Sequence, residues 1–150
     1  MSTKLMEQYA RNANAQTQIT INAPRETVFN AWFDHTADWF YHSEETKTSH
    51  PTICEKRIGG KFYTDLPDDG FNVLGELTMI KPNNKIRIRG DCTMPFAVLM
   101  NITVSFEDAD GGTCVSIDHR MSGEINDGMA EEFEAGWLDG LEKLKTLLEA

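Results

Sequence analysis

The sequence predicts an α+β fold: one strand, two short helices, an antiparallel meander and a long C-terminal helix. Three observations carry this. Between Pro51 and Met121, segments of strand character are separated by Gly-, Pro-, Asn- and Asp-rich turns. From Met129 to Leu148, apolar residues recur at steps of four and three. The chain has 150 residues, 40% hydrophobic and 25% charged, which suits one domain and leaves no room for two ordinary ones. A chain of this length buries roughly 70% of its unfolded surface, so it needs no disulfide or metal to fold.

Met1 to Ala15 reads as a short lead-in, frayed or weakly helical, and residues 16–150 as the domain. Gln16 to Asn22 alternates, with Thr17, Ile19 and Ile21 on one side, as a half-buried strand does. Ala23-Pro24-Arg25-Glu26 opens a helix. Pro24 suits a position whose N–H would have no partner, and Glu26 sits where the helix dipole favours an acid. Val28, Phe29, Trp32 and Phe33 form its apolar face. A second short helix or an irregular segment is expected over Ala37 to His42.

The meander follows: Ile53 to Ile58, Lys61 to Leu66, Phe71 to Ile80, Lys85 to Cys92, Phe96 to Glu107 and Thr113 to Met121. The joints are Gly59-Gly60, Pro67-Asp68-Asp69-Gly70, Lys81-Pro82-Asn83-Asn84 and Asp108 to Gly112. Such short joints require antiparallel neighbours. With the first strand the sheet has six to seven strands. Asn126 or Asp127 is placed to cap the last helix. From Asp127 to Glu149 that helix would run roughly 33 Å at 1.5 Å per residue. Met129, Phe133, Trp137, Leu141, Leu144 and Leu148 make one stripe along it.

Composition narrows the function. The net charge is −10, from 14 bases and 24 acids, with a pI near 4.8 and no basic run. Nucleic acid and anionic membrane are therefore not expected partners. No apolar run approaches the ~18 residues of a membrane span. Cys54, Cys92 and Cys114 form no C-x-x-C pair, so they read as reduced, buried thiols in a cytoplasmic protein. No P-loop, dinucleotide fingerprint or nucleophile elbow occurs, and neither cofactor nor metal is expected.

Six motifs occur in order: Ala23-Pro24-Arg25-Glu26-Thr27-Val28-Phe29-Asn30-Ala31-Trp32, Asp38-Trp39-Phe40, Arg57-Ile58-Gly59-Gly60-Lys61-Phe62, Gly75-Glu76-Leu77 with Lys81-Pro82, Gly111-Gly112-Thr113, and Gly136-Trp137-Leu138 with Leu141-Glu142-Lys143-Leu144. In these the chain resembles the START and birch-pollen-allergen (SRPBCC) superfamily, whose relatives include polyketide cyclase-like proteins. The nearest branch is named after activators of the heat-shock-protein ATPase. The resemblance spans Gln16 to Ala150. It implies a helix-grip fold, a curved antiparallel sheet wrapped around the C-terminal helix, with a ligand cavity between them. All six motifs are caps, turns and packing positions, so they imply a fold and leave function to the site. One Trp stands where relatives often carry an adjacent pair, and Asp91-Cys92 follows a strand that often ends in an aromatic. A relative's ligand is therefore not carried over.

Strand parity gives the expected lining. Phe96, Val98, Met100, Ile102, Val104 and Phe106 face inward, as do Val115, Ile117, His119 and Met121, and Ile86, Ile88 and Cys92. On the Phe71 to Ile80 strand, parity points Phe71, Val73, Leu77 and Met79 inward. Arg87, Arg89, Asp118, Arg120 and Glu76 face outward. Gly136 and Gly140 in the last helix mean close contact with a neighbour or room for a ligand. The ligand-binding candidates are Trp39, Phe62, Met79, Ile88, Met100, His119, Phe133 and Trp137. His119 is the ionisable group on an apolar face: a ligand-orienting or acid–base group, or a core histidine satisfied by its neighbours. Asp34, His35, Asp38 and His42 have metal-ligand chemistry in a spacing that better suits a solvated surface. Tyr41 or Tyr63 offers a hydroxyl.

The expected function is binding of a small, largely apolar molecule with one polar end. The alternatives are a cyclase- or hydrolase-type enzyme using His119 or a tyrosine for proton transfer, and a chaperone-associated interaction module. Homodimerisation is left open.

Overall fold

Seven antiparallel strands form one sheet in the order β1-β7-β6-β5-β4-β3-β2. This computed structural model describes residues 11–150. The elements are β1 (Arg11–Ile21), α1 (Arg25–Asp34), α2 (Thr36–Trp39), α3 (Glu44–Ser49), β2 (Thr52–Cys54), β3 (Lys61–Asp65), β4 (Phe71–Lys81), β5 (Lys85–Gly90), β6 (Val98–Ala109), β7 (Gly112–Gly123) and α4 (Met129–Glu149). The curved sheet and C-terminal helix make the predicted helix-grip arrangement. The predicted turns recur where the chain takes positive φ: Asp68 and Asp69 at 61° and 62°, Asn83 at 63°, Gly111 at 77°.

Several boundaries differ from expectation. Strand β1 already runs from Arg11, so the lead-in assigned to Met1–Ala15 is strand over its last five residues, and the rest of it lies outside the described residues. Strand β2 stops at Cys54, because Arg57 N–H donates to Glu55 O and Gly60 N–H to Arg57 O, folding the chain back. The helix expected over Ala37 to His42 is the single turn α2. Helix α3 went unforeseen, although Ser43 caps it by accepting from Thr46 N at 3.1 Å. Helix α4 begins after Gly128, without a side-chain cap, and Asp127 instead pairs with Arg11 at 3.1 Å.

Inward parity holds on β5, β6 and β7, where Ile86, Ile88, Met100, Ile102, Val104, Phe106, Val115, Ile117, His119 and Met121 are all buried. It fails on β4. The pairing of β3 with β4 slips between Phe62 and Tyr63, and that of β4 with β5 between Leu77 and Met79. Each bulge adds one residue, and one residue exchanges the two faces of a strand. Phe71 and Val73 therefore lie exposed on the convex face, and Met79 pairs with the outward-facing Arg87. Leu77 stays buried opposite Ile88, while Asn72 and Leu74 turn inward.

Helices contact both edge strands. Along β1, Glu134 accepts from Gln16 N at 3.2 Å, Glu149 from Asn22 N at 2.8 Å, and Lys145 donates to Thr20 O at 2.7 Å. Helix α4 thus occupies backbone groups that an edge strand would offer to another chain. At the other edge, α1 and α2 pack on β2, whose Thr52 and Cys54 are buried.

The concave side is filled by aromatic rings. Trp32 lies 4.4 Å from Trp39, 6.1 Å from Trp137 and 6.2 Å from Phe106, centroid to centroid. The carbonyl of Trp32, near the end of α1, accepts from Thr36 Oγ1 at 2.6 Å and Trp39 Nε1 at 3.0 Å. Two side chains thereby satisfy a carbonyl near the helix end and fix α2 against α1. The bulges have a measurable consequence. Leu77→Ala is expected to cost about 3 kcal/mol in urea denaturation, whereas Met79→Ala costs under about 1 kcal/mol. Equal losses would contradict the assigned faces.

Candidate functional site

At the open end of the grip lies a cleft of about 460 Å³. One wall is the concave face of β2, β3 and β4; the other is α4. The chain around Phe40 to His42 and the β5–β6 connection close its ends. Two hollows of about 460 and 500 Å³ sit on the convex face, over residues such as Gln16, Thr103, Asn101 and Arg120, with no second wall.

On the sheet wall, register sets Thr52 opposite Thr64 and Thr64 opposite Asn72. The two threonine hydroxyls lie 3.0 Å apart. This row can donate and accept hydrogen bonds along one edge of a ligand. On the helix wall, Phe133 and Trp137 flank Gly136, and Phe40 closes over them at 5.8 Å from Trp137. The two helix glycines play opposite parts. A Cβ on Gly140 would meet Trp39 at 3.1 Å, so Gly140 is close contact. A Cβ on Gly136 would meet nothing within 4 Å. A helix-interior glycine costs about 1 kcal/mol relative to Ala, and at Gly136 no protein contact offsets it.

The opposite lip holds a second local exception. Cys92 and Thr93 take φ of 50° and 62°. Left-handed backbone at a β-branched residue is strained by about 1–3 kcal/mol. Asp91 stabilises the turn, accepting from Thr93 N at 2.8 Å. Burial pushes the Cys92 thiol up to about 12, and likewise that of Cys54, so both stay protonated and unreactive at neutral pH.

The structure divides the sequence candidates. Trp39, Phe133 and Trp137 line the cleft. Phe62 is buried behind Phe40 at 5.2 Å, and Ile88 and Met100 lie in the core beneath. Met79 stands on the convex face, a correction forced by the second bulge. His119 is buried with no exposed surface. Its Nδ1 accepts from Trp137 Nε1 at 2.9 Å, and its Nε2 lies 3.1 Å from Met100 Sδ. Accepting at Nδ1 places the proton of the neutral ring on Nε2. His119 therefore backs Trp137, one layer behind the cleft surface. Tyr41 donates its hydroxyl to Glu44 at 3.1 Å, and Tyr63 packs at 6.0 Å from Phe71, whose ring is exposed on the convex face. Asp38 is held by His35 at 3.1 Å and Lys47 at 3.3 Å, and these contacts keep its carboxyl below the ordinary value. Sequence reading did not find Thr52, Thr64, Asn72 or the rim acids Glu132 and Asp139, and of its two readings for the helix glycines, close contact holds at Gly140 and open space at Gly136. The threonine row could be read only once β3 and β4 were in register.

Burial lowers the His119 pKa from 6.5 to about 4, against a small opposing effect of Asp118. A depressed histidine contributes stability that is complete above the unfolded value of 6.5 and is lost as pH falls toward 4. Between pH 7.5 and 5 the loss should be about 2 kcal/mol. His119→Asn keeps an acceptor for Trp137 but cannot titrate, and it should remove most of that slope in denaturant titrations at the two pH values. Parallel profiles for the two proteins would show that His119 is not the responsible group.

Comparison with known proteins agrees with this geometry. An uncharacterised protein from Rhizobium leguminosarum superposes with a TM-score of 0.70 at 23% identity, covering 93% of this chain and 96% of that one. The Aha1 protein of Colwellia psychrerythraea, solved as a dimer in solution, gives 0.66 at 19% identity over 91% and 96%. DynU16, from the dynemicin biosynthetic locus, gives 0.65 at 21% identity over 91% of this chain and 47% of its own. These identities establish a shared fold. No curated protein matches the sequence. The family model described as Activator of Hsp90 ATPase homolog 1-like protein matches residues 22–149, and the chain belongs to that family.

Proposed function

We propose that this chain binds a small, largely apolar molecule with one polar end, held in the cleft between α4 and the β2–β4 end of the sheet. The observation that carries the reading is Gly136: a glycine inside a long helix, facing open space, flanked by two aromatic side chains. The apolar body of the ligand fits between Phe40, Phe133 and Trp137. Its polar end meets Thr52, Thr64 and Asn72. A pocket with an apolar lining and a few convergent polar groups is the usual form of a small-molecule site. Binding is favoured over turnover: His119 is engaged by Trp137 behind the cleft surface, the hydroxyl of Tyr41 on the cleft lining is given to Glu44, and Tyr63 packs on the convex side with Phe71. Three free cysteines, two of them buried, suit a reducing, cytoplasmic setting.

Native mass spectrometry of freshly purified protein tests the reading. The expected result is an added mass that is lost on denaturation and absent in Gly136→Leu, whose side chain fills the cleft. An adduct unchanged in that variant overturns the reading. So does a wild type that carries no adduct and takes up no 1-naphthalenemethanol.

A second reading, self-association, has its own observation. Ile53 is opposite Tyr63, and Tyr63 opposite Val73, so with Phe71 they form an apolar patch on the convex face near β2. Such patches mark contact surfaces, and the Colwellia relative is a dimer. Sedimentation should show a dimer that Phe71→Asp with Val73→Asp reduces to monomer. A wild type that is monomeric at 100 µM, about the upper range of weak specific dimers, would remove this reading.

A further inference from the structure

We infer that the cleft takes ligands whose polar end carries two oxygens on alternate carbons of an apolar ring, two hydroxyls or a hydroxyl and a carbonyl. This rests on the binding reading above and adds to it the number and spacing of the ligand's polar atoms. Thr52, Thr64 and Asn72 stand in direct register on three neighbouring strands, and all three line the cleft. Adjacent strands are about 4.8 Å apart, so the row offers a polar side chain at each such step. Thr52 is 4% exposed, so its hydroxyl is nearly enclosed.

The hydrogens of the row point the same way. Each threonine hydroxyl carries one hydrogen. The two oxygens lie 3.0 Å apart, so one hydrogen sits between them. The other has no acceptor among the described residues and is left for a ligand oxygen. The threonine pair therefore donates once. Asn72, one strand on, brings an amide that both donates and accepts. A ligand that uses both partners needs two oxygens about one strand spacing apart, about 4.8 Å. Oxygens on alternate carbons of a planar ring meet that separation. Oxygens on adjacent carbons lie too close together and reach one partner only. The helix wall adds no rival polar side chain: Trp137 gives its N–H to His119 behind the surface, Phe133 has none, and Gly136 leaves open space for the ring. At the mouth, the Tyr41 hydroxyl goes to Glu44 and Asp139 holds Lys143, while His42, Thr93 and Glu132 are exposed to solvent. The enclosed polar contacts are those of the sheet wall, and the sheet sets their spacing.

Calorimetric titration at pH 7.5 with 1,3-dihydroxynaphthalene, its 2,3-isomer and 2-naphthol tests this. The 1,3-diol should bind roughly tenfold tighter than the other two, the gain from one further hydrogen bond. Thr64→Val keeps the β-branched shape and removes the middle hydroxyl, and Asn72→Ala removes the exposed amide. Each should bring the three affinities to within about threefold of one another. A general loosening of the fold would weaken all three ligands together and leave their ratios unchanged, so the ratios report the row itself. Equal affinity of the two diols for the wild type overturns the spacing inference and leaves the cleft reading standing. Binding of none removes the cleft reading and this inference with it. A preference for the 1,3-diol that survives in both variants overturns the assignment to Thr64 and Asn72.

Discussion

A curved sheet of seven strands encloses more space than one helix can fill, and the rest of the structure follows from how that space is occupied. The filling is aromatic. Trp32, Trp39 and Trp137 meet from three different helices, with Phe106 below and Phe40 above. Large rings in edge and tilted contact fill volume with few rotatable bonds. Two of the three indole N–H groups have hydrogen-bond partners, and that of Trp32 is buried without one among the described residues. Trp39 finds the carbonyl of Trp32, and Trp137 finds His119. The buried histidine is thus part of the packing: it lets an indole enter the core without stranding its polar atom.

The rings stop short of the β2–β4 end, and the cleft is what they leave. Its walls are made of local exceptions to regular structure. Two bulges in β4 turn Asn72 and Leu74 inward and carry Met79 outward. A strained turn at Cys92 and Thr93 forms one lip, and a glycine inside a helix forms part of the other wall. Helices also contact both edge strands: α4 bonds to backbone groups along β1, and α1 and α2 pack on β2.

The adjacent pair Gly136-Trp137 condenses this division of labour. Trp137 joins the aromatic core and leans on His119, while Gly136, one residue earlier, leaves helix backbone bare to the cleft. A family motif that packs its tryptophan into the core thereby turns its glycine toward the cleft. The family assignment gives the architecture. The polar chemistry of the cleft wall comes from the threonine row and Asn72, none of which lies in the family motifs.

Reading the sequence was enough for the class, the order of the strands, the faces of β5 to β7 and the stripe of α4. These follow from periodicity and turn residues, which are local and repeat several times within an element. Trp39, Phe133 and Trp137 were legible as cleft-lining residues because each lies on a strongly periodic or motif-bearing segment. The facing of β4 was not legible. A bulge adds one residue through the pairing of two strands, and neither strand's own pattern contains it. The same holds for Thr52, Thr64 and Asn72, which become a row only when three strands are in register. It holds for Gly136 and Gly140 as well: both are glycines four residues apart on one helix, and what separates open space from tight contact is the position of Trp39. Local sequence set which elements form; the distances between elements, set by packing the aromatic core, decided where the chain leaves room for something else.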